Sequence, residues 1–134
     1  MSLFVDTSFL VALLDGDDGR AGRAAELWRG ASAAGTPVLT TDYVVLESCA
    51  VLQRRLGLEA VRRLTRDTLA PVVIEWVTRV DHERAVDALI VAGRRGLSLV
   101  DCTSFEVMRR LDVRECLAFD RHFAERGFVL AAFD

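Results

Sequence analysis

The chain has 134 residues, 51% of them hydrophobic and 28% charged, which is the size and composition of one globular domain able to bury a core without disulfides. Two prolines and this charge density exclude collagen-like, low-complexity and disordered classes, and a net charge of −3 excludes a nucleic-acid binder that is basic over its whole surface. All 17 cationic side chains are Arg, so any chemistry that needs an ammonium group is excluded too, including a P-loop lysine, a Schiff base and the lysine beside a phosphoryl aspartate.

Leu3-Phe4-Val5 predicts a first strand, closed by Asp6-Thr7-Ser8, and Phe9, Leu10, Ala12, Leu13 and Leu14 continue at helical spacing to Asp15-Gly16. An Ala-rich amphipathic helix follows from Arg20 to Ala34, with Gly35 as its stop. Pro37-Val38-Leu39 predicts a second strand, and Thr40-Thr41-Asp42 supplies N-cap chemistry for a helix through about Arg55. After Gly57 a further helix runs to about Leu69, where Pro71 forbids continuation. Val72-Val73-Ile74 predicts a third strand, and Asp81 to Arg95 a helix with Val86, Leu89 and Ile90 inward, ended by Gly96. Leu97 to Asp101 fits either a strand or a helix start, whereas Thr103 to Leu111 is helical. Cys116 to Phe119 predicts a fourth strand, followed by a short helix to Arg126 and a last strand at Phe128-Val129-Leu130. Strands alternating with helices predict an α/β fold with a parallel sheet covered on both faces, within a single domain over residues 1–134.

The three cysteines, Cys49, Cys102 and Cys116, are scattered in apolar runs without metal spacing and are expected to be reduced core residues. The amino-terminal stretch has no basic segment before an apolar one, and no apolar run approaches ~18 residues, so a soluble cytoplasmic protein with no membrane partner is expected.

Three apolar runs end in aspartate: Asp6, Asp101 and Asp120. In a parallel sheet, functional groups gather beyond the carboxyl ends of the strands, so these carboxylates are placed to meet. Each can instead cap the helix that follows it. Glu47 has no capping role, since it lies within the apolar helix Tyr43 to Leu52, with Tyr43, Val44, Ala50 and Val51 as its helical neighbours. A carboxylate there needs a partner, either an arginine or a shared site. Two like charges ~4 Å apart at an effective dielectric of ~20 repel by about 4 kcal/mol, so a converged quartet requires a cation or protons. Oxygen ligands without His or Cys favour Mg²⁺ or Mn²⁺, the arrangement of metal-assisted phosphodiester hydrolysis.

The stretches Phe4 to Phe9, Val44 to Glu47, Ser98 to Ser104 and Ala118 to Phe123, followed by Gly127-Phe128, resemble the PIN-domain family and, more narrowly, the VapC-type toxins of bacterial toxin-antitoxin pairs. The resemblance spans Phe4 to Val129 with the motifs in order. It implies a three-layer α/β/α sandwich around a mainly parallel sheet of four to five strands, and a Mg²⁺- or Mn²⁺-dependent endoribonuclease leaving a 5′-phosphate and a 3′-hydroxyl. Asp6, Glu47, Asp101 and Asp120 match the family's acidic positions, which hold the metal and form the catalytic centre. It also implies that Ser98 to Asp101 opens a helix. Thr7 or Ser8 matches the hydroxyl beside the first aspartate, and Ser104 and Arg121 join them as candidate contacts to a ligand carboxylate or to substrate. Many relatives carry Thr or Ser where this chain has Ala118, which removes one hydroxyl from that surrounding shell. The implied partners are an RNA substrate, a VapB-like antitoxin and a second copy of the chain.

Other residues have more ordinary expectations. The pairs Arg54-Arg55, Arg62-Arg63, Arg94-Arg95 and Arg109-Arg110 suit solvated faces or a phosphate groove, and His82 and His122 suit surface or capping roles. Trp28, Trp76 and Tyr43 suit core or interface packing. A non-catalytic PIN-like binding module is the main alternative to a nuclease. A phosphotransfer domain using Asp6 is opposed by the missing lysine and by Ser8 standing where a D-x-D motif needs Asp.

Overall fold

A computed structural model describes residues 1–132, so the last two residues of the expected domain lie outside the described part. The strands are β1 (Leu3–Val5), β2 (Val38–Thr41), β3 (Val73–Glu75), β4 (Glu115–Leu117) and β5 (Val129–Leu130). All pairs are parallel, in the order β3-β2-β1-β4-β5. β1 is central and fully buried, as its uninterrupted apolar sequence requires of a strand covered on both faces. The helices are α1 (Thr7–Leu14), α2 (Ala21–Ala33), α3 (Asp42–Leu56), α4 (Leu58–Arg63), α5 (Arg79–Ala92), α6 (Leu99–Arg110) and α7 (His122–Glu125), with a π-helical turn at Leu64–Thr68 closing α4.

Parallel crossovers are right-handed, so connections stepping outward from β1 through β2 to β3 cover one face, and those returning to β4 and β5 cover the other. This is the expected sandwich, with all five strands parallel. The direction of winding reverses between β1 and β4, and the crevice beyond their carboxyl ends is where such sheets bind ligands. Asp6 and Asp120 follow these two strands.

The core joins Phe4, Phe9, Leu10, Val44, Leu52, Leu64, Phe105, Met108 and Phe123, each essentially inaccessible. One buried hydroxyl ties β2 to β1, the Thr40 Oγ1 donating to the Val5 carbonyl at 2.7 Å. All three cysteines are free, and Cys102 and Cys116 are buried, as expected. Burial pushes the Cys116 thiol up to about 12, with the nearby Asp6 carboxylate adding to the shift, so it is chemically inert.

Three local expectations need correction. α5 ends at Ala92, not Arg95, because Gly93 takes the left-handed conformation (φ 61°) and its amide closes the helix on Leu89. Ile90 is 71% exposed, because Ala85, Val86 and Leu89 fill the inward side of that helix. The core half of the Trp76 expectation fails, since that side chain is 71% exposed and only interface packing is left to it, whereas Trp28 packs partly buried with its ring centroid 6.2 Å from that of Phe9. The ambiguous segment at Leu97 resolves as a helix start, with Ser98 as N-cap of α6. Among the described residues no helix is long and apolar enough to cross a membrane.

Candidate metal centre

Each of the three aspartates is positioned by hydrogen bonds from nearby backbone amides. Asp6 is the N-cap of α1, its Oδ2 accepting from the Ser8 amide at 3.3 Å and the Ser8 hydroxyl at 2.9 Å. Ser8 Oγ in turn accepts from the Phe119 amide at 3.0 Å, so one hydroxyl joins the end of β1 to the segment after β4. Asp101 stands at the third position of α6, in a reciprocal capping box with Ser98: its Oδ2 accepts from the Ser98 amide at 3.1 Å, while Ser98 Oγ accepts from the Asp101 amide at 3.0 Å. Asp120 Oδ1 accepts from the His122 amide at 2.9 Å. The capping reading holds for Asp6 alone, since Ser98 is the N-cap of α6 and Arg121 that of α7, and it excludes no convergence, because a cap engages only part of a carboxylate's four lone-pair sites.

Asp6, Glu47, Asp101 and Asp120 all line one cavity of about 330 Å³ at the winding reversal. Glu47 reaches it from the middle of α3, because α3 packs against both α1 and α6. Among the described residues Glu47 forms no ion pair, so the arginine partner does not account for it. Asp6 is 2% exposed, and its Oδ1 is buried without a hydrogen-bond partner. An oxygen so placed is costly unless a proton or a cation completes it. Burial first, and then the Asp101 charge, raises the Asp6 carboxyl to about 7 against the opposing hydrogen bonds from Ser8 and Thr7. Asp101 is also raised, chiefly by burial and further by the charges of Asp120 and Glu47, while Ser98 pulls it down. Four hard oxygen donors on one cavity, two of them raised by burial and by neighbouring charge, fit a divalent cation.

The hydroxyl candidates separate. Ser8 holds Asp6 as expected, and Thr7 lines the cavity with its buried Oγ1 unpartnered. Ser104 lies away from the cavity lining, buried in α6 with its hydroxyl donating to the Val100 carbonyl at 2.9 Å. Arg121 likewise does not line the cavity; its side chain is 87% exposed and lies 3.7 Å from Glu125. Ser104 is thus out of direct reach of the cavity, whereas Arg121, exposed next to Asp120, keeps only the expected role of a contact to substrate. Position within a motif does not reveal the local backbone acceptor that captures Ser104, nor the turn that directs Arg121 outward.

Three further residues stand at the site: the sequence did not single out Arg20, it offered Arg55 as one of a pair suited to a solvated face or a phosphate groove, and it gave His122 a surface or capping role. Arg20 and Arg55 share the cavity wall, and no spacing rule connects the α1–α2 loop with the end of α3. His122 offers a ring nitrogen within 4.8 Å of ligand atoms of Asp101 and Asp120. Its Nε2 is 3.0 Å from the Gly96 carbonyl, which only accepts, so that nitrogen carries the proton and is closed to a metal while the bond persists. The histidine therefore fastens the segment before α6 to the Asp120 turn.

This fold, with carboxylates gathered where the winding reverses between β1 and β4, defines a class of α/β proteins with an acidic cavity at one sheet end. The sequence model described as "PIN domain" matches residues 3–129, and the chain belongs to the PIN-domain family. It is 40% identical over 129 residues, 95% of each chain, to the 23S rRNA-specific endonuclease VapC20 of Mycobacterium tuberculosis. The crystal structure of VapC20, described as a sarcin-ricin loop cleaving toxin, superposes with a TM-score of 0.83 at 38% identity, covering 96% of this chain and 97% of that one. VapBC2 from Rickettsia felis, bound to a promoter DNA fragment, matches over the full length of both chains with a TM-score of 0.69 at 12% identity, a likeness of fold.

Proposed function

We propose that this chain is a single-domain, divalent-metal-dependent endoribonuclease, the toxin half of a toxin-antitoxin pair acting in the cytoplasm. The observation that carries the metal-dependent reading is the buried, unpartnered Asp6 Oδ1 in a cavity shared with Glu47, Asp101 and Asp120. The likeness to VapC20 over nearly the whole chain supports RNA as the substrate, with a ribosomal RNA stem-loop the first to try. A groove of about 770 Å³ lined by Leu46, Cys49, Ile74 and Trp76 supports a VapB-like antitoxin as partner, and self-association belongs to the same reading.

Asp6, Glu47, Asp101 and Asp120 would hold the ion, Mg²⁺ or Mn²⁺ by the hardness of their oxygens. When bound, the cation supplies Lewis-acid polarisation of a phosphoryl oxygen and a lowered pKa for water. The chain's own residues do the rest. Ser8 fixes the rotamer of Asp6 and, through the Phe119 amide, keeps the ends of β1 and β4 in register. Ser98 fixes Asp101. The Thr7 hydroxyl, buried and unpartnered, is available to donate to a phosphate oxygen.

Incubation of the purified chain with an RNA stem-loop and MnCl₂ tests the reading. Cleavage leaving 5′-phosphate and 3′-hydroxyl ends, abolished by EDTA and reduced at least ~100-fold by Asp6→Asn, is expected. Cyclic 2′,3′-phosphate ends, or activity indifferent to EDTA, would overturn it.

A further inference from the structure

The cavity that gathers the four carboxylates also has two cations on its wall, Arg20 and Arg55, and neither is paired with any of the four. Each is tethered instead to an aspartate of the α1–α2 loop, and the two tethers differ. Arg20 Nε and Nη2 donate to Asp18 Oδ1 and Oδ2 at 3.2 and 3.3 Å, and its Cζ lies 5.0 Å from the centroid of the Phe119 ring. That fork sets the plane of the guanidinium and leaves three of its five N–H groups without a protein acceptor among the described residues. Arg55, in the last turn of α3, is half exposed, and its Nη1 lies 3.8 Å from Asp15 Oδ2, too far for a hydrogen bond.

Phe119 connects this arrangement to the acids. Its ring carries Arg20, its amide holds Ser8 and through it Asp6, and it immediately precedes Asp120. Unsatisfied guanidinium donors on the wall of a cavity are suited to an anion that enters from outside. Asp18 and Asp15 already offset the two guanidiniums, so with the acids ionised the four carboxylates of the cavity exceed the charge of one divalent cation. A phosphodiester entering so acidic a cavity therefore depends on the donors along its arginine wall.

We propose, resting on the ribonuclease reading above, that Arg20 and Arg55 grip RNA backbone phosphates beside the cleaved bond. Arg20 acts as a preset planar fork and Arg55 as a swinging arm. The two roles separate by substitution, because lysine supplies the charge of a swinging arm but cannot reproduce a fork held by a carboxylate.

Two measurements test this: binding of an RNA stem-loop across a salt series, in an Asp120→Asn background that blocks turnover, and Mn²⁺ titration of the same arginine variants without that background. Arg20→Gln and Arg55→Gln are each expected to weaken RNA binding roughly tenfold and to lower the salt slope by about 0.7–0.9. Arg55→Lys should keep most of the affinity and Arg20→Lys should not. Mn²⁺ affinity should stay level or rise in both Gln variants, because a positive charge has left the cavity. Arg114→Gln, at the opposite end of the sheet, should change neither quantity. Unchanged salt slopes, or RNA and Mn²⁺ affinity falling together, would overturn the proposal. Persistent cleavage by Asp6→Asn would overturn the metal-dependent reading while leaving the binding comparison valid.

Discussion

Asp6 sits where a carboxylate is least comfortable, 2% exposed with one oxygen unpartnered, and it is raised to about 7 mainly by burial. A carboxyl raised from 3.8 to about 7 stays protonated in the folded chain after it has ionised in the unfolded one. Its contribution to stability is therefore complete below about pH 4 and is lost as pH rises to about 7, a swing on the order of 4 kcal/mol. Asp101 is raised as well, so it acts in the same sense. In EDTA, Asp6→Asn should gain stability over the parent progressively between pH 4 and 7, as read by thermal unfolding of both chains. Parallel curves would show that Asp6 ionises as an exposed carboxylate does. The sequence reveals that Asp6 ends a buried strand, but an unpartnered oxygen is a property of three-dimensional neighbours and is not legible there. The same holds for Ser8, whose tie to the Phe119 amide spans 111 residues.

At the scale of elements, local chemistry was the most readable part. Thr41 caps α3 by accepting from the Val44 amide at 3.1 Å, as the Thr40-Thr41-Asp42 signal implies. The start of α6 was ambiguous by pattern, because Leu97-Ser98-Leu99-Val100 is equally apolar as strand or helix; Ser98 and Asp101, three apart, are the capping box that decides it. A second box, Thr78 with Asp81, opens α5, and there the buried Asp81 also receives Arg110 from α6, with contacts of 3.0 to 3.2 Å, while Arg110 Nη1 reaches Glu75 at 3.2 Å. This ion pair joins the end of β3 to the two most closely packed helices and was not legible, since Arg110 reads as one of many helix-surface arginines. Its bonds with Arg110 and Thr78 hold Asp81 below the usual carboxylate range against the penalty of burial, so the pair stabilises above about pH 4 and fades below it. Arg110→Met should lose about 2–3 kcal/mol in urea unfolding at pH 7. That gap should narrow below pH 4, and a constant gap would assign the loss to packing alone.

Over the whole molecule, the order β3-β2-β1-β4-β5 makes a site from residues far apart in the chain, because it places the ends of β1 and β4 side by side. Apolar runs that end in aspartate made Asp6, Asp101 and Asp120 readable as a group, although the run before Asp101 opens a helix and is no strand, and an acidic residue amid apolar helix made Glu47 readable. Arg20 was not, because it reaches the cavity through a loop whose approach depends on packing, and Arg55 was legible only as one of a pair suited to a solvated face or a phosphate groove. Ser104 was read as a neighbour of the site from its place in the motif, and its hydroxyl is taken up by the Val100 carbonyl of its own helix. An acidic chain at −3 can still meet RNA where cationic groups such as Arg20 and Arg55 line the site, since the overall charge matters less to substrate than its local distribution. The most direct test is calorimetric titration of Mn²⁺ into the parent chain and into Asp6→Asn, Glu47→Gln, Asp101→Asn, Asp120→Asn and His122→Ala. Binding that weakens at least ~10-fold in each of the four acid variants and persists in His122→Ala is the expected result. Undiminished binding in Glu47→Gln, or its loss in His122→Ala alone, would contradict the four-carboxylate centre.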